Sequence, residues 1–195
     1  MPDSSDVSIF GRLLFRLRSL TPVPFIFVLI FFSDLTVFSA ICGGILIVLG
    51  ECLRIWAVGY AGGSTRTRTI GTARYLVTAG PYSHVRNPIY LGNLVLSLGV
   101  CLTANVYWMV VILGVGYLLQ YVPIVLYEER YLSETCGDVY RRYYDSVPRF
   151  LPNVRPYTNS SDHEFLLFRA LINEKRTLTA IFCVVLLIIA KTLFL

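Results

Sequence analysis

The sequence predicts an all-α fold, a polytopic transmembrane helical bundle of about five helices. Three observations carry this. Hydrophobic residues make up 55% of the chain and charged residues only 15%, with a mean hydropathy of +0.64. A water-soluble chain of 195 residues needs more polar cover than that, whereas lipid accepts the excess apolar surface. Residues 87–127 contain no charged side chain at all. Finally, fifteen of the seventeen Lys and Arg residues fall in three polar segments, 1–20, 62–86 and 128–177, with apolar runs between them.

The elements follow in order. Residues 22–61 are apolar except for Asp34, Glu51 and Arg54. As one helix they would run about 60 Å, twice a hydrocarbon core of about 30 Å, so they must fold back. The polar Ser33-Asp34-Leu35-Thr36 marks the turn, with arms at 21–33 and 37–61. The first arm opens Thr21-Pro22-Val23-Pro24, which suits a helix start. The uncharged run needs a second hairpin, and Thr103-Ala104-Asn105 supplies its turn between arms at 89–102 and 106–127. Residues 163–176 have helical apolar spacing and are expected to lie along the interface before a last span over 178–195. Five crossings put the three polar segments on one side. Neither hairpin turn carries a basic residue, so the positive-inside rule places the polar segments in the cytoplasm and the C-terminus outside.

The chain reads as one domain over 1–195, since its helices must pack on each other. No cleavable signal is expected, because Met1 to Arg18 mixes Asp3 and Asp6 with Arg12, Arg16 and Arg18. The expected location is a cytoplasmic membrane, bacterial in type, or the endoplasmic reticulum in a eukaryote. The net charge of +5 follows from topology, so no nucleic-acid partner is expected. The five cysteines are scattered without a CxxC pattern, which predicts buried thiols and no metal. Phosphate-loop, zinc-protease and serine-hydrolase patterns are absent.

Chemistry gathers in two clusters, one at each mouth of the uncharged hairpin: Leu76 to Tyr90, and Tyr127 to Leu132 followed by Gly137 to Tyr143. An antiparallel hairpin brings them together at the membrane surface. Arg86 offers a fork for a carboxylate or phosphate, and the helix start at Pro88 offers free N–H groups. Glu128 and Glu129 are adjacent carboxylates suited to a ribose diol. Tyr82, Tyr90, Tyr127, Tyr140 and Tyr143 supply surfaces for a base or a cation. Each residue alone has an ordinary explanation as a topology anchor, and the combination is what points to a ligand. Glu51 and Arg54, three apart inside a span, read equally as a mutually paired couple or as a pocket wall. Gly92, Gly99, Gly114 and Gly116 read equally as close-packing sites or as the floor of a lateral groove. His84 and His163 have no identifiable partner in the sequence.

These residues resemble the isoprenylcysteine carboxyl methyltransferase and phospholipid methyltransferase families. Leu53-Arg54-Ile55-Trp56-Ala57 is similar to a family Leu-Arg-x-Trp-Ala element. Gly80-Pro81-Tyr82, then Arg86, Pro88 and Tyr90, resembles the Gly-x-Tyr…Arg-His-Pro-x-Tyr motif. Tyr127-Glu128-Glu129 matches the Glu-Glu pair, and Gly137, Tyr140, Tyr143 with Pro148-Arg149-Phe150-Leu151-Pro152 match the tail. The resemblance covers about residues 45–153. It implies S-adenosylmethionine at the cytoplasmic mouth and a lipid-like acceptor, with a carboxylate or amine head, entering from the bilayer. It places Arg86, Asn87, Pro88, Tyr90, Glu128 and Glu129 on the cofactor; Tyr82 and Tyr140 join them as aromatic surfaces. Arg86, Glu128 and Glu129 are the candidate catalytic residues. One position departs: Asn87 stands where the prenylcysteine enzymes have His, and a neutral amide cannot shuttle protons near pH 7. Two other readings stay open. An NADPH-dependent sterol-type reductase would share the architecture and would use Arg66, Arg68 and Arg74 on the extra phosphates. A membrane scaffold would leave Arg86 and the Glu pair without a ligand.

Overall fold

The computed structural model describes residues 13–61, 76–159 and 163–194. The described residues form five α-helices, α1 (Pro22–Phe32), α2 (Val37–Ala61), α3 (Pro88–Thr103), α4 (Trp108–Ser146) and α5 (Leu167–Phe194), with a 3-10 turn at Gly80–Ser83. No strand occurs among them. Helices α2, α4 and α5 are long and apolar enough to cross a membrane; α1 and α3 are shorter apolar helices. Residues 13–17 form a further helical turn ahead of α1. Pro22 and Pro24, which lack N–H donors, separate it from α1. Large apolar side chains such as Phe27, Phe31, Val37, Phe38, Leu119 and Phe182 face outward, as a helical membrane bundle requires.

Both expected hairpin turns exist, and they meet. Asn105 adopts a left-handed φ of 60°, a conformation Asn tolerates, and reverses the chain between α3 and α4. The Asp34 N–H donates to Ala104 O at 3.0 Å, joining the two turns. Lys191 near the end of α5 donates to Ser33 O. This turn end is closed by an apolar cluster of Leu29, Val100, Cys101, Ala104, Val106, Met109 and Ile188.

Helices α2 and α3 form the tightest contact. Gly43 and Gly50 on one helix face Gly92 and Gly99 on the other, each pair seven residues apart, so both lie on one face. A Cβ added at Gly50 would lie 2.6 Å from Leu96 N and 2.9 Å from Gly92 O, so glycine is what lets the backbones touch. Gly92 and Gly99 are therefore packing sites. Gly114 faces open space and Gly116 makes ordinary contact with Phe25.

Two stretches are more continuous than the sequence suggests. The polar residues after 127 extend α4 rather than ending it, with a local break at Gly137 (φ 54°, ψ −129°). Residues 167–194 form one helix instead of a surface helix followed by a span. The reason is its inward stripe: Ala170, Glu174, Thr177, Ile181, Val184 and Ile188 recur at four- and three-residue intervals, so one face runs unbroken along the helix.

Candidate active site

At the end opposite the turns, the uncharged hairpin brings its two mouths together as expected. Adjacent residues on a helix point about 100° apart, so Glu128 and Glu129 project in different directions. Glu129 turns toward the loops. Arg86 Nε donates to its Oε1 at 3.0 Å, and Arg149 donates to both oxygens, Nη2 to Oε2 at 2.6 Å. Arg86 Nη1 reaches Tyr144 O at 2.6 Å and Val147 O at 3.0 Å while the guanidinium stacks 3.9 Å over the Tyr144 ring. Arg149 is held more firmly protonated than an ordinary arginine by its bonds to Glu129. Arg86 thus ties the mouth of α3 to the end of α4 through protein groups.

The segment after α4 is stitched onto this mouth by backbone bonds. Arg86 N donates to Pro148 O, Asn153 N to His84 O, and Tyr157 N to Ser83 O, each at 2.9 Å. His84 Nδ1 lies 2.7 Å from Asn153 O, which makes that nitrogen a donor. Asn87, at the helix start, donates to Arg149 O at 3.3 Å, and Pro88 is fully buried behind it. Asn87 and His84 therefore serve this seam. Tyr143 Oη donates to Tyr82 O at 2.7 Å. Burial, then the nearby Glu128, pushes the Tyr82 phenol well above its ordinary value, so it stays neutral.

Glu128 turns the other way, into the bundle. Tyr90 Oη donates to its Oε1 at 2.8 Å, and Tyr117 Oη donates to Tyr90 O at 2.7 Å. The Tyr121 ring packs between those of Tyr90 and Tyr117, with centroids 5.0 and 4.4 Å away. Deeper still, Arg54 donates to Asn93, to Glu174 at 2.5 Å and to Thr177 at 3.2 Å, with Glu51 at 3.5 Å. Arg54 and Glu51 are thus both a pair and part of a larger belt. Asn93 in turn donates to Tyr121 Oη at 3.4 Å.

A cavity of about 770 Å³ connects these groups, in the range of small-molecule sites. Its lining on α4 runs from Tyr143 past Glu128 to Leu113, the part from Glu128 to Leu113 being about 22 Å along the helix. Tyr82, Arg86, Asn87, Pro88, Tyr90, Glu128, Glu129 and Tyr140 all line it, so the structure gathers every candidate cofactor residue around one space. Tyr127 is not among the lining residues. Sequence reasoning gave no role to Arg149, Asn93, Tyr121, Glu174 or Thr177. The available signals were an Arg inside the Pro-Arg-Phe-Leu-Pro tail and polar side chains punctuating apolar runs. Arg66, Arg68 and Arg74 lie outside the described residues. Among the described residues no group of three or more His, Cys, Asp or Glu comes together in a way that would hold a metal.

Comparison with known proteins fits this picture. The chain is 28% identical to the cobalt-zinc-cadmium resistance protein CzcN of Cupriavidus metallidurans over 55% of its own length and 46% of that protein's. It is 27% identical to the nickel-cobalt-cadmium resistance protein NccN of Alcaligenes xylosoxydans xylosoxydans, over 56% of this chain and 48% of the relative. It therefore spans about half the length of these curated relatives. No solved structure matches. The model of the phospholipid methyltransferase family matches residues 38–138, which include the α2–α3 glycine seam, the Arg86 mouth and both Glu128 and Glu129. With more than half its length matched, this membrane chain belongs to the phospholipid methyltransferase family.

Proposed function

We propose that this protein transfers a methyl group from S-adenosylmethionine to an amphiphile whose carboxylate or amine head sits at the cytoplasmic face of the membrane. The observation that supports it is the single cavity that joins the Glu128–Tyr90 corner to an apolar interior reaching Leu113. Glu128, bonded to Tyr90 through one oxygen, has the second for a ligand hydroxyl such as a ribose diol. Tyr82, Tyr90 and Tyr140 offer ring surfaces to a base or a cationic centre. Arg86 and Glu129 act differently: locked together with Arg149, they hold α3, α4 and the following segment in register around the cofactor space.

S-Adenosylmethionine supplies an activated methyl carried on a sulfonium. Bound at the Glu128–Tyr90 corner, it would offer that methyl to the acceptor's oxygen or nitrogen lone pair and would leave as the neutral thioether. Orientation and exclusion of water are the main demands, and the Tyr82, Tyr90 and Tyr140 rings on the cavity wall support orientation. A carboxylate acceptor needs no base. An amine must reach the acceptor position already deprotonated, since the Glu128 oxygen not used by Tyr90 is taken by the ribose in this arrangement.

The test uses protein in liposomes made from a total lipid extract, supplied with S-adenosylmethionine labelled in its methyl group. Label should appear in the organic-soluble fraction and require the protein. Labelling of water-soluble acceptors alone, or none, would contradict the proposal.

A further inference from the structure

The inward stripe of α5 holds an anomaly. Ala170, Glu174 and Ile188 are buried to 1% exposure or less. Between Glu174 and Ile188 the same stripe carries Thr177, Ile181 and Val184, which are only half-buried. The spacing is unbroken, so all three point the same way as their buried neighbours. They are less covered because they face the cavity, whose wall they form. The helix is pinned on either side of this gap. Leu166 N donates to Gly59 O at 3.1 Å, Glu174 holds Arg54, and Lys191 reaches Ser33 O. A pinned helix cannot collapse to fill the space, so the stripe keeps an apolar slot open.

The slot has a polar top and a closed bottom. At the top stand Arg54, Asn93, Tyr121, Glu174 and Thr177. At the bottom the turn-end cluster shuts it, with Val184 packed against that cluster's edge. From Thr177 to Val184 is seven residues, about 10 Å. Helix α5 lies wholly beyond the segment matched by the family, residues 38–138.

We propose that α5 is the acceptor-selecting element of this protein: an alkyl chain lies along Thr177, Ile181 and Val184, and the side chain at 184 sets how long it is allowed to be. The proposal rests on the amphiphilic acceptor proposed above and names the residues that measure it. The polar belt around Arg54 marks where the apolar tail gives way to the head.

The test measures thermal stabilisation of the purified protein, in a sterol-based detergent too bulky for the slot, by saturated fatty acids and n-alkylamines of graded length. Wild-type protein should show a length optimum in at least one series. Val184→Ala should move that optimum to longer chains and Val184→Phe to shorter ones. Ala180→Phe, also on the cavity wall, should shorten it too if Val184→Phe fails to fold. An optimum that stays in place, or no stabilisation by any member, would overturn the proposal. Affinity for S-adenosylmethionine is read separately on each variant. It should be unchanged; its absence in wild type would sink the methyltransferase reading while leaving the length readout to judge the slot.

Discussion

The two ends of this bundle are built from different interactions. At the turn end, close packing of small and apolar side chains holds two reversals together, and the polar contacts there are mostly backbone carbonyls and hydroxyls. At the site end, Glu129 sits between two arginines, and a seam of backbone bonds joins residues 83–86 to 148–157. Packing gains stability in proportion to contact and offers a ligand nothing. A lattice of charged groups gives directional rigidity and leaves Glu128 one residue away, outside the lattice. The contrast teaches that adjacent carboxylates on one helix need not share partners: both line the cavity, but Glu129 is held by two arginines and Glu128 by a tyrosine.

The sharpest way to break this comparison is at Glu129. Glu129→Ala leaves Arg86 and Arg149 without their common partner, and breaking a buried pair costs about 3–5 kcal/mol. Thermal unfolding in detergent should show a large loss, with little folded protein recovered. Next comes the turn-end seam. Gly43→Ala, whose added Cβ would lie 2.4 Å from Thr103 N, forces α2 and α3 apart and should cost about 1–3 kcal/mol in the same measurement, with cofactor affinity less affected than stability. Glu128→Gln should behave in the opposite sense, keeping the fold while weakening cofactor binding by about 1.5–3 kcal/mol, the scale of a hydrogen bond to a charged group. The smallest effect belongs to Arg130→Ala. Its pair with Glu134 is exposed, and its loss should change stability by less than about 0.5 kcal/mol.

Much of the fold was legible because length and charge leave few choices. An uncharged run of this length must turn, and Asn105 was the residue able to do so. Which residues would gather around one cavity was also legible, since the segments holding Tyr82 to Tyr90 and Glu128 to Tyr140 meet once the hairpin forms. What each does there was not. Helix phase decides that Glu129 meets Arg149 and Glu128 meets Tyr90, and phase depends on packing that sequence does not state. Arg86 was expected to offer its fork to an anion; it lines the cavity, and its Nε and Nη1 donate to Glu129 and to two carbonyls that only the folded loop brings near. Arg54 read equally as a partner of Glu51 or as a pocket wall, and it is both; its nearer partner, Glu174, is 120 residues away, a contact only tertiary folding creates. The glycines at 43 and 50 carried a readable signal in the matching seven-residue spacing of 92 and 99.

The most direct test of the central claim is a cofactor titration on detergent-purified protein, comparing S-adenosylmethionine, its demethylated product and NADPH, with wild type beside Glu128→Gln. Saturable binding of S-adenosylmethionine and its product, weakened at least tenfold by Glu128→Gln, with no response to NADPH, is the predicted result. Saturable NADPH binding with no response to S-adenosylmethionine would contradict the account and return the protein to the reductase reading.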